Sequence, residues 1–193
     1  MQSHIRLPDH AFNYDYRRIA VLDVIECIKQ RRSIRSFQPI SVSRETVEKV
    51  IQAATLAPSA GNWQPWRYYV VSNDDLRRQL ARIASNQEFI VEAPVVLVVC
   101  AEPARAENTY GERARTLYCI QDTAAAIQNL LLAAHSYGIG TCWVGDFDEA
   151  AVQSVLQIGA EFRPVAIVPM GYPNESPNPR WRRPLREVIE YKE

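Results

Sequence analysis

The stretch that most restricts how this chain can fold runs from Pro94 to Ala101. It reads Pro-Val-Val-Leu-Val-Val-Cys-Ala, an unbroken apolar run. A run of this length and composition fits a strand covered on both faces better than a short helix. Pro164 to Met170 is a second run of the same kind, ending at Gly171. Helical patterns are interleaved with these strands, so the class is α/β or α+β, with about four strands and at least five helices.

Residues 1 to about 20 read as an arm ahead of a single domain over 21–193, ordered against a partner or against the body of the protein. Leu22, Ile25 and Ile28 fall at helical spacing, with Asp23 early and Lys29 late to suit the helix dipole. Phe37 to Ile40 reads as an extended linker. Ser43 is set to cap a helix whose apolar face is Val47, Val50, Ile51 and Ala54, with Pro58 as its stop. Trp66 to Val71 reads as a strand. Asn73 caps the next helix, and a polar loop lies between Ala101 and Gly111. The longest helical pattern runs from about Glu112 to Tyr137, through Leu117, Ile120, Ala124, Ile127, Leu131 and Ala134. Its wide apolar arc predicts burial, centrally or in a subunit interface. Ile139 to Gly145 reads as a short strand and turn, and Asp148 caps a helix after it. A proline-rich loop, Pro173 to Pro179, leads to a last short segment opened by Pro184.

Two stretches hold the side chains suited to a ligand. Ala57-Pro58-Ser59-Ala60-Gly61-Asn62-Trp63-Gln64-Pro65-Trp66 combines turn formers, two side-chain amides and two indoles. Small residues let a planar ligand approach the backbone, and Asn62 and Gln64 offer donors and acceptors. It reads as an ordinary helix-to-strand loop or as a binding loop. Arg31-Arg32-Ser33-Ile34-Arg35 places three guanidiniums and a hydroxyl in five residues. Phosphate binding uses this chemistry, and so does a solvated basic face. Arg180, Arg182 and Arg183 form a second basic group far along the chain.

Lys+Arg and Asp+Glu are equal at 22 each. A balanced chain offers no general attraction for nucleic acid or membrane, so any anion site is a local cluster. The four cysteines form no Cys-x-x-Cys pair and the three histidines lie far from them, which argues against a metal site. Cys100 and Cys119 sit in apolar patterns as small buried hydrophobes, and the chain reads as cytoplasmic. There is no Gly-x-Gly-x-x-Gly after a strand, no Gly-Lys-Ser/Thr loop and no Gly-x-Ser-x-Gly elbow. His135 reads as structural, and Asp74-Asp75 as capping charges.

Taken in order, four segments resemble the signatures of the nitroreductase-like FMN-dependent flavoprotein family. They are Arg31 to Arg35, Pro58 to Trp66, Gly138 to Gly145, and Arg180-x-Arg182-Arg183-Pro184-Leu185. The resemblance implies an α+β fold with a central, mostly antiparallel sheet flanked by helices. It also implies an intertwined homodimer with FMN sites at the interface and the long helix at its core. By residue-wise carry-over, Arg31, Arg32, Ser33 and Arg35 hold the phosphate and ribityl chain, with Arg182 and Arg180 joining at the phosphate. Arg32 and Arg182 are expected to share it. Pro58, Ser59, Ala60, Asn62 and Gln64 line the isoalloxazine from the other subunit, and Val144 and Gly145 supply backbone contact near N5. No protein acid or nucleophile is expected to be catalytic, because the flavin carries the chemistry. NAD(P)H is the implied reductant, and an electron-poor small molecule such as a nitroaromatic or quinone the implied acceptor.

Competing readings are a flavin-binding module without turnover, a specialised family member (a dehalogenase, a flavin-destroying enzyme or a peptide dehydrogenase), and a phosphate- or nucleic-acid-binding protein. Trp63 either narrows the pocket or points to solvent.

Overall fold

In the computed structural model of the protein, residues 23–193 are described, and the expected N-terminal arm lies outside them. Short polar side chains set most of the helix starts. Asp23 accepts from the Ile25 N–H and opens α1, Val24–Gln30. Ser43 accepts from Thr46 N–H and opens α2, Arg44–Ala54. After β1, Trp66–Val71, Asn73 accepts from Leu76 N–H and opens α3, Asp74–Ile83. The short α4, Phe89–Glu92, leads into β2, Val95–Ala101. A single turn, α5, spans Glu107–Tyr110, and the long α6 spans Cys119–Ser136. Then come β3, Gly140–Thr141, and α7, Glu149–Leu156, which Asp148 caps through Ala151 N–H. Last is β4, Arg163–Gly171, followed by an irregular C-terminal segment with one 3-10 turn, Leu185–Glu187.

The four strands form one sheet in the order β1-β2-β4-β3, antiparallel at every pairing. The architecture is therefore α+β with a central antiparallel sheet. Strand alternation divides the core in two. Val96, Val98 and Cys100 of β2 face the side covered by α3, α4 and α7. Val95, Leu97 and Val99 face α2 and α6. That double coverage explains why β2 contains no polar residue. Each fully buried leucine or isoleucine there contributes about 1.5–3 kcal/mol of transfer free energy.

Two sequence expectations are corrected. The helix ahead of Pro58 ends at Ala54, where the Leu56 and Ala57 N–H groups donate only three residues back, to Ala53 and Ala54, and the chain tightens into a turn. The loop between Ala101 and Gly111 contains a helical turn. The long helix starts at Glu112, as its apolar period predicts, after Gly111 at φ +60°, and its first turns widen into a π-type segment, Ala114–Tyr118, before α6. Among the described residues, no helix is long and apolar enough to cross a membrane.

Candidate active site

The segment after α1 runs beside β3. Ser33 and Thr141 form a parallel bridge, and Ile34 N–H donates to the Thr141 carbonyl at 2.9 Å. The approach requires glycine at 140, because a Cβ there would lie 2.8–3.0 Å from Ile34 side-chain atoms. Phe37 then pairs with Pro173, and Gln38 N–H donates to the Tyr172 carbonyl. These contacts bring the C-terminal segment alongside Arg31–Arg35.

The result is a cavity of about 740 Å³ whose wall includes Arg31, Arg32, Ser33, Arg35, Arg180 and Arg182. Its size lies within the usual ~300–1,000 Å³ of small-molecule sites. Two basic groups more than 140 residues apart in sequence thus share one hollow. Among the described residues, none of these five guanidiniums forms an ion pair with a carboxylate. Burial and the neighbouring charges of Arg32 and Arg182 push Arg31 below its ordinary value. Unpaired, mutually repelling cations facing a cavity are the chemistry an anion relieves. Glu175 also lines the cavity, but its carboxylate is engaged by the Arg35 and Ser36 amides.

The side chains are not equivalent. Arg32 turns back on α1, its Nη1 donating to the carbonyls of Lys29 at 2.6 Å and Arg31 at 2.9 Å. It caps the helix end as much as it faces the cavity. Arg35 lies over the Phe89 ring at 5.8 Å. Burial pushes the nearby Cys142 thiol up, against the pull of Arg35, the Ser33 hydroxyl and Arg31.

Pro58, Ser59, Ala60, Asn62 and Gln64 do not line this cavity. They form a separate, exposed loop with a 3-10 turn at Ala60–Asn62. Gly61, Asn62 and Gln64 have φ of 56°, 58° and 52°, with Trp63 right-handed between them, and a positive φ is uncommon for residues bearing side chains such as Asn62 and Gln64. Surrounding bonds hold the strain. Gln64 N–H donates to Ser59 Oγ at 3.0 Å, Thr123 Oγ1 to the Pro65 carbonyl at 3.3 Å, and Ala60 N–H to Asp122 Oδ2 at 3.1 Å. Trp63 is 38% exposed, so its indole faces solvent within one chain. Val144 is tied to Ile167 by paired backbone bonds of 2.9 and 3.0 Å, and nothing lies within 4 Å of where a Gly145 Cβ would stand.

Asp122 was not among the residues singled out in the sequence; its one signal was a carboxylate on an otherwise apolar helical stretch. Burial raises its pKa, against the smaller downward pull of the Ala60 amide. A raised native value means ionised Asp122 opposes folding at neutral pH, and that opposition fades as pH falls through the native value. Asp122→Asn keeps an acceptor for Ala60 and removes the charge, so its urea midpoint at pH 7 is expected to equal or exceed that of the wild type. Asp122→Ala leaves the amide unpaired and is expected to lose roughly 1–2 kcal/mol. A wild-type midpoint for the alanine variant would show that the bond does not hold the loop.

Comparison with known proteins identifies the family. The nitroreductase family pattern matches residues 28–88 and 83–172. A Methanothermobacter thermautotrophicus protein provisionally named NADH dehydrogenase/NAD(P)H nitroreductase is 33% identical over 167 residues, covering 84% of each chain. A nitroreductase family protein from Streptococcus pneumoniae superposes with a TM-score of 0.82 at 29% identity, over 88% of this chain and 100% of that one. The NADPH:FMN oxidoreductase of Vibrio harveyi, solved with NAD+, superposes at 0.79 with 28% identity, over 88% of this chain and 78% of that one. With the family pattern matching most of the chain and the fold superposing on its members, the chain belongs to the nitroreductase family.

Proposed function

We propose that the protein is an FMN-dependent oxidoreductase that works as a homodimer, taking electrons from NADH or NADPH and passing them to an electron-poor small molecule such as a nitroaromatic or a quinone. The observation that carries this reading is the meeting of Arg31, Ser33, Arg180 and Arg182 around one cavity. Those residues suit a phosphate dianion, whose oxygens accept from planar guanidinium forks and a hydroxyl. The absence of ion pairs at these arginines among the described residues supports the fit. The Vibrio harveyi relative, named for FMN and solved with NAD+, supports the cofactor and the reductant.

When bound, FMN supplies the two-electron chemistry. The protein's part is to hold, orient and shield it. Arg31 and Arg182 anchor the phosphate, with Arg180, Arg35 and Arg32 adding positive potential. The Ser59–Gln64 loop lies outside this cavity, and in this reading it would hold the isoalloxazine in the site of a second copy, supplying amide groups and small side chains. Gly145 presents open backbone, and Val144, pinned to Ile167, fixes its position. A second copy also accounts for apolar surface left uncovered on one chain. Val24, Ile25 and Ile28 of α1 are more than half exposed, and Trp181, Leu185 and Tyr191 of the C-terminal segment more than 70%. A reducing, cytoplasmic setting is part of this reading, with all four cysteines free and buried.

The test is spectroscopic. Purified protein, supplied with FMN, is expected to show a bound-flavin spectrum that NADH or NADPH bleaches under anaerobic conditions and an added quinone restores. Bound flavin that no pyridine nucleotide reduces would make the protein a carrier. Failure to bind FMN would remove the reading altogether.

A further inference from the structure

A second, smaller cavity of about 70 Å³ lies against the arginine segment, between it and the last turn of α6. Arg31, Arg32, Thr141 and Glu175 line it together with His135. Two of the side chains that line it each have a buried nitrogen with no hydrogen-bond partner, Arg32 Nε and His135 Nε2. Buried polar atoms are rarely left unpaired, and a hollow of this size between two such side chains suits a bridging water. Such a water would accept from Arg32 Nε–H and donate to a neutral His135 Nε2.

We propose that His135 is a positioning residue for the cofactor phosphate, joined to Arg32 through this small cavity, and that it takes up a proton when the phosphate binds. The proposal rests on the FMN reading given above. The charged groups facing His135 are Arg31 and Arg32 from the segment after α1 and Glu175 from the C-terminal segment, while β3 contributes the Thr141 hydroxyl. Glu175 is already engaged by the Arg35 and Ser36 amides. With the anion absent, burial and the two arginines keep His135 below its ordinary value and therefore neutral near pH 7. A phosphate dianion offsets the arginine charges and restores the affinity of the imidazole for its proton. The sign follows by linkage. Binding that raises the pKa of a group is tighter at low pH and weakens as pH rises through the bound-state value. FMN carries its own phosphate titration near pH 6, so the informative quantity is the ratio of wild-type to variant affinity.

The experiment measures FMN affinity of the full-length apoprotein by flavin fluorescence from pH 6 to 8.5, for the wild type and His135→Gln, with riboflavin as the phosphate-free control. NMR of labelled histidine follows the His135 titration with and without FMN. The wild-type advantage over His135→Gln is expected to grow by about tenfold from pH 8.5 to 6, the factor that a one-unit shift gives. Riboflavin should show no such growth, and the His135 midpoint should rise on FMN binding. A constant ratio, or a His135 midpoint that FMN leaves unmoved, overturns the proposal while leaving FMN binding intact. If the variant does not fold, the wild-type NMR titration decides alone. Absence of FMN binding in the wild type would instead remove the underlying functional reading.

Discussion

Replacing Arg31 or Arg182 with alanine is expected to weaken FMN binding by about 10- to 150-fold in each case, the 1.5–3 kcal/mol typical of a hydrogen bond to a charged group. Both side chains line the cavity, and they lie close enough for the charge of Arg182 to depress Arg31. A shared phosphate relieves that repulsion. Arg32 stands differently. Its Nη1 is held by the Lys29 and Arg31 carbonyls, so Arg32→Ala should reduce affinity less and loosen the end of α1 as well. Arg31→Lys keeps a charge but loses the planar fork, and should fall between wild type and alanine. Titration by flavin fluorescence at fixed ionic strength measures all of these. Riboflavin, without a phosphate, should bind the variants and the wild type alike. Wild-type FMN affinity in both alanine variants would remove the phosphate assignment.

The proposed pairing is Arg31 with Arg182 in place of Arg32 with Arg182, for a reason that no spacing rule contains. Arg31 and Arg32 are adjacent and chemically identical, and both line the cavity. Which one is free to turn toward an anion depends on where α1 ends and which carbonyls are left unpaired there. Features governed by neighbours along the chain were legible. Ser43, Asn73 and Asp148 cap the helices they precede. The two apolar runs are the central strands, because burial on both faces leaves no room for polar side chains. The widening of this helix at Ala114–Tyr118 was not legible, since the apolar period continues through Leu117 while the backbone takes an extra residue in the turn. Asp122 was passed over, and His135 read as structural, for a related reason. Each belongs to a helix whose period explains its neighbours, and each acquires a role only from a segment about 60 to 100 residues earlier, the Ala60 amide or the Arg31–Arg32 pair.

The other large effect expected concerns how the site is divided between chains. Within one chain the arginine cavity and the Ser59–Gln64 loop are separate features, and none of the loop's side chains reaches the cavity wall. If a site takes its arginines from one copy and its loop from the other, defects in the two features complement each other when placed on different chains. A dimer pairing an Arg31→Ala/Arg182→Ala chain with an Asn62→Ala/Gln64→Ala chain then has one site with both defects and one with neither.

The most direct measurement is therefore FMN titration of that mixed dimer, isolated with two affinity tags after co-expression. The account predicts a single site of wild-type affinity per dimer, although each parental homodimer binds weakly at every site. Weak binding throughout the mixed dimer, with no site restored, would contradict it and place the whole flavin site within one chain.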